Sequence, residues 1–183
     1  MSGKERREKI IQILSESGRP VPGRTLATMF DVSRQVIVQD IALLRAEKHV
    51  ITSTNVGYIL SDQNIIEKSR VFKVQHTDEE VEDELHLIVD CGCVVKDVFI
   101  YHKVYGTVRA ELNIRSRMDV DRFMNDIRTG KSSLLKNVTS GYHYHTVTAP
   151  TEALLDLIQD KLREKGFLAK LQDYEPVDFR KPK

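Results

Sequence analysis

The chain has 183 residues, of which 40% are hydrophobic and 30% charged, and a formal net charge of +1. With no low-complexity run, these proportions exclude a disordered chain. The charged opening MSGKERREKI lacks an apolar signal region, and no apolar run is long enough to cross a bilayer, so a cytoplasmic protein without a membrane partner is expected. The charge is unevenly spread: residues 1–60 hold 9 Lys or Arg against 6 Asp or Glu, and the remainder holds 19 against 21. A basic front and an acidic back suit a DNA reader joined to a regulatory domain. Cys91 and Cys93, the only cysteines, are too close for an easy mutual disulfide and lack C-x-x-C zinc spacing, so free thiols are expected.

From Glu5 to Glu16, Ile10, Ile11, Ile13 and Leu14 recur at helical spacing, and Ser17-Gly18 ends the stretch. A short second helix follows Pro22 and breaks at Asp31-Val32, after which Ser33 is a good N-cap for a third. In that third helix Ile37, Ile41 and Leu44 fall on one face, with Gln35, Gln39, Ala42 and Ala46 opposite. Small side chains let the backbone approach a major groove, while Gln and Arg34 can pair with base edges. The alternative is a solvated face. The run VITSTNVGYIL then reads as a β-hairpin around Asn55 and Gly57, a wing. The segment LATMFDVSRQVIVQDIALLR followed by GYIL resembles a biotin-repressor-type winged helix-turn-helix over residues 4–60. That resemblance implies that Ser33, Arg34, Gln35 and Gln39 face DNA, with Thr25 and Arg45 near the phosphates.

A polar stretch at Ser61–Asn64 is the expected linker, dividing a domain of residues 1–62 from one of 67–175. The second domain reads as strand 70–76, helix 78–91, strands 94–102 and 107–114, helix 118–129, strand 142–149, helix 151–165 and strand 167–172. This order predicts an α+β chain, a winged helix-turn-helix plus a C-terminal α/β sandwich with helices on a mostly antiparallel sheet.

Strand alternation puts Phe72, Val74 and His76 on one side, and His143, His145, Val147 and Ala149 likewise, so the apolar companions turn all three histidines inward. Thr77 and Glu80 have capping-box spacing. Glu84 has no such role: it shares the arc of Val81, Leu85, Ile88 and Cys91, and a buried carboxylate needs compensation. Three imidazoles and a carboxylate are a ligand set for zinc or nickel. Hydrogen-bonded core histidines are the competing reading. His86 and His49 point elsewhere and are expected to be solvated, and Cys91 is a fallback soft ligand.

The second half resembles the three-histidine domain of niacin-responsive bacterial repressors, through His76 with the acidic helix to Glu84, the HKVYG segment at 102–106, and SGYHYHT at 140–146. The resemblance implies metal ligation by His76, Glu84, His143 and His145, one ion per chain. It also implies a homodimer on operator DNA, nicotinic acid as co-repressor, and control of genes for niacin uptake or NAD synthesis. Lys103 departs from the HPVYG form and leaves the turn less rigid. His102 and Tyr105 sit at a strand end where a tight turn would put them beside the ligand, or are ordinary turn packing. Arg109 would meet a carboxylate bidentately, or is a solvated strand residue. Two other functions share the same ligands: a regulator that senses the metal itself, and a metal-dependent hydrolase. Against the hydrolase stand four protein ligands and the lack of a separate general base, and no enzyme is expected.

Overall fold

The computed structural model describes residues 1–60, 67–130, 132–171 and 175, so the expected linker lies outside the described residues. Three helices open the chain: α1 (Gly3–Ser17), α2 (Gly23–Phe30) and α3 (Arg34–Ala46). Ser2 and Glu5 form a capping box on α1, and Gly18 closes it in the left-handed conformation. Ser33 Oγ accepts the Val36 N–H at the start of α3, as the sequence predicts. Ile10, Leu14, Leu26, Ile37, Ile41 and Leu44 make the core between the helices. One charge lies inside it: Asp40 is buried and receives Arg6 Nε at 2.6 Å, with Arg7 Nη1 at 3.6 Å, tying α1 to α3. The hairpin β1 (Ile51–Thr54) and β2 (Gly57–Leu60) follows with a two-residue turn.

The second unit is a four-stranded antiparallel sheet of β3 (Lys68–Gln75), β4 (Val94–His102), β5 (Gly106–Ile114) and β6 (Tyr142–Ala149), ordered β3-β6-β4-β5. The helices α4 (Val81–Asp90), α5 (Arg117–Thr129) and α6 (Glu152–Glu164) pack with its inner side around Val74, Leu85, Ile88, Val95, Val147 and Leu155. The two units are docked, since Ile59 of β2 is fully buried in this second core and Thr151 Oγ1 donates to the Gly18 carbonyl at 2.8 Å.

Two local expectations are corrected. Helix α4 starts at Val81 rather than 78, because Asp78 is drawn to Lys136 at 2.6 Å and to Asn137, while Glu80 accepts the Thr77 N–H and leaves 78–80 as a turn. Over the described residues 167–171 the expected strand 167–172 reduces to a single bridge, Val74 with Leu168: beyond it the Lys170 carbonyl accepts the Lys73 ammonium, leaving the ladder, and position 172 lies outside the described residues. A 3-10 turn at Leu135–Val138, absent from the sequence reading, crosses one end of the sheet.

Candidate metal centre and nucleic-acid interface

Cross-strand pairing assembles the centre. Phe72 lies opposite His145 and Val74 opposite His143, so two histidines on β6 meet the end of β3, where His76 follows the last ladder pair. Helix α4 delivers Glu84 onto the same spot through the apolar arc that buries Val81, Leu85 and Ile88. All four side chains are buried. His76 Nε2 lies 2.8 Å from Glu84 Oε2, and the Nε2 atoms of His143 and His145 each lie 3.5 Å from the same oxygen. The His76 and His145 rings stand nearly perpendicular to the His143 ring, with centroids 4.9 Å apart.

Each Nδ1 faces a backbone carbonyl, of Thr77 at 2.8 Å, Gly141 at 3.4 Å and Asp97 at 2.7 Å. Since a carbonyl only accepts, Nδ1 carries a proton, so a ring bonded to Glu84 donates Nε2–H as the charged form, and loss of that second proton turns an Nε2 lone pair on the centre. Burial favours neutral histidines, but at His76 the hydrogen bond to Glu84 and its charge outweigh this and raise the pKa. His145 is raised by Glu84 in the same way, whereas burial prevails at His143 and lowers it. Burial would also neutralise Glu84, yet the His145 charge and the three histidine hydrogen bonds hold it well below the carboxylate range. Glu84 Oε1 remains buried with no hydrogen-bond partner among the described residues. Three preset nitrogens, an ionised carboxylate and an unmatched carboxylate oxygen fit a divalent zinc or nickel ion.

A second group of ligand-type residues among those described, Glu82, His86 and Asp121, is partly exposed. Glu82 is already held by Arg128 at 2.7 Å. Cys91 belongs to neither group.

Beside the first centre is a cleft of about 290 Å³, walled by Val81, Leu85, Phe123 and Leu134, with Val98 and Ala110 on the sheet. His143 and His145 form part of its lining, and so does Lys136. Sequence reasoning missed Lys136, a buried lysine whose Nζ donates to the His76 carbonyl at 2.9 Å. Its only signal was a lone lysine in an apolar stretch. The expected effector residues are not in this cleft. Arg109 is on the opposite sheet face, bonded to Asp97 with its guanidinium 4.2 Å above the Phe99 ring. His102 and Tyr105 stack on one another at the β4–β5 turn, where His102 Nδ1 accepts the N–H groups of Val104 and Tyr105 at 3.2 Å.

On the helix-turn-helix, Thr25, Ser33, Arg34, Gln35, Gln39 and Arg45 are all exposed. Arg45 has local work as well, donating to the Ile51 carbonyl at 2.8 Å and to Ser53 Oγ at 2.7 Å. Val38, 40% exposed, falls inside the same stripe and adds a methyl-bearing surface suited to thymine, a feature the hydrophobic periodicity concealed.

Residues 69–171 match the 3H domain family and residues 6–59 an HTH domain family. The chain is 40% identical over 173 residues to "Transcription repressor NadR" of Bacillus subtilis, covering 93% of this chain and 96% of that one. It is also 40% identical over 164 residues to "Probable transcription repressor NiaR" of Thermotoga maritima, covering 90% and 93%.

Proposed function

Because the chain belongs to the family of helix-turn-helix transcription repressors that carry a 3H domain, a DNA-binding rather than an enzyme family, we propose that nicotinic acid is its co-repressor. On this reading it binds operator DNA as a homodimer in the cytoplasm and controls niacin uptake or NAD synthesis. The observation that supports this reading is that His143, which shares a buried ligand-type group with His76 and Glu84, and His145, whose Nε2 lies 3.5 Å from Glu84, both line the wall of an apolar cleft. His76, Glu84, His143 and His145 hold one zinc or nickel ion, which supplies a positive charge for an acid bound beside it. The apolar walls take the faces of a flat ring, and Lys136 adds a second cation for its carboxylate. Ser33, Arg34, Gln35 and Gln39 read base edges, and Thr25 and Arg45 lie at the phosphates.

Calorimetric titration with nicotinic acid, against nicotinamide and after chelation, tests the effector. Saturable binding of the acid alone, lost on chelation and in His143→Ala, is expected. No binding to metal-loaded protein sinks the organic effector and leaves the ion as the signal, in which case zinc or nickel alone should shift operator affinity.

A further inference from the structure

The turn of the β1–β2 hairpin, the part of a wing that reaches furthest from its helices, is docked on the C-terminal end of α4. The Asn55 N–H donates to the Asp90 carbonyl at 3.0 Å, and Asn55 Nδ2 to Asp90 Oδ1 at 2.6 Å. The same carboxylate accepts Arg117 Nε at 2.7 Å from the start of α5. Close approach continues one step on: Gly92 has φ +78, and a Cβ there would lie 2.7 Å from Thr54 Cγ2. The turn is stiff, because Thr54 Oγ1 accepts the N–H groups of Val56 and Gly57 at 3.2 and 3.1 Å and donates to the Gly57 carbonyl. Behind it, Val56 and Ile59 pack into the core of the cleft domain.

Both ends of this contact reach functional parts. Helix α4 carries Glu84 and Asp90 on a single rigid run, about 9 Å apart along its axis at ~1.5 Å per residue. On the other side, Arg45 in the last turn of α3 clamps β1 through Ile51 and Ser53. We propose that the β1–β2 turn is a joint rather than a DNA-probing wing: Asn55 and Asp90 are the positioning pair through which the cleft domain orients α3. A displacement of α4 at Glu84 is carried to Asp90, then to the turn, and through Arg45 to the recognition helix. The joint rests on the reading of the His/Glu cluster as an ion site and of the chain as a DNA binder.

The test uses the full chain as parent, Asn55→Ala, Asp90→Ala and Asp90→Asn. Backbone amide exchange over residues 51–60 is measured in chelated and zinc-saturated protein. Affinity for a duplex selected by the parent from random sequence is measured at fixed salt in chelated protein and in zinc-saturated protein with nicotinic acid. In the parent, zinc is expected to slow hairpin exchange, and zinc with nicotinic acid to change DNA affinity, each by at least about fivefold. Both responses are lost in the two alanine variants, while their zinc-free DNA affinities stay within about twofold of the parent. Asp90→Asn, which keeps an acceptor for Asn55, retains most of the response. Hairpin exchange in the parent that is indifferent to zinc overturns the joint. So does an alanine variant that loses DNA affinity by the same factor with and without zinc, the mark of a turn that touches DNA. If the parent selects no duplex, the repressor reading fails, and the exchange measurement still decides the joint.

Discussion

Glu84→Gln separates the two groups of ligand-type residues, because it removes the negative charge on which three imidazoles converge while leaving the side-chain volume almost unchanged. An ion bound only to the folded chain stabilises it by about 2.7 kcal/mol at a free concentration ~100 times its dissociation constant. For a chain of this size that corresponds to a rise in Tm of about 5 to 11 °C. A neutral amide is a much weaker ligand for zinc than a carboxylate, and its substitution should cost about a hundredfold, the upper end of what loss of an outer-shell partner costs. At the same free zinc the gain then falls to about 0.4 kcal/mol, a rise of about 1 to 2 °C. His86→Ala is the matched control: it dismantles the Glu82, His86 and Asp121 group, whose Glu82 is already held by Arg128. Thermal unfolding in buffered zinc, with metal analysis of the dialysed proteins, is the assay. Parent and His86→Ala should rise together and Glu84→Gln should not. If Glu84→Gln kept the full shift while His86→Ala lost it, the buried cluster would not be the metal centre.

Asp40→Ala should destabilise the helix-turn-helix by about 1 to 3 kcal/mol, because it removes the buried acceptor that holds half-buried Arg6 and leaves Arg7 with Glu47, and urea unfolding followed by far-UV dichroism would register it. Lys136→Met should weaken nicotinic acid binding by about tenfold or more, the worth of one charge-assisted hydrogen bond, without a comparable loss for an uncharged analogue; equal losses in calorimetry would remove Lys136 from carboxylate recognition. Burial pushes the Cys93 thiol up to about 12 and raises Cys91. Both should therefore be silent to a thiol reagent at pH 8 until the chain unfolds. Because the folded pKa is raised, these thiols cost no stability below the ordinary value of 9.0, and stability falls as pH climbs from there towards about 12. A rapid native-state thiol reaction at pH 8 would contradict that burial.

The legible parts of this chain are those in which one residue answers to one local rule. Ser33 caps α3 because its position before an apolar-periodic run leaves no better use for its hydroxyl. The inward turn of His143 and His145 follows from period-two alternation with Val147 and Ala149, and the cross-strand pairs with Phe72 and Val74 bear out that inward turn. What could not be read depends on contacts between elements. Asp40 looks like a surface residue until α1 brings two arginines to it. Arg109 looks available for a ligand until β4 is seen to slip register between Val95 and Asp97. That irregularity lets Val95 and Val98, an odd step apart, both face inward, opposite Val147 and His145. Asp97 is thereby sent to the far face, where it captures Arg109, while its carbonyl accepts His145 Nδ1. A single extra residue in one strand thus takes the expected cation away from the cleft and helps fix the orientation of His145 beside Glu84. It leaves Lys136, from a turn with no periodicity to announce it, as the one lysine or arginine in the cleft wall among the described residues.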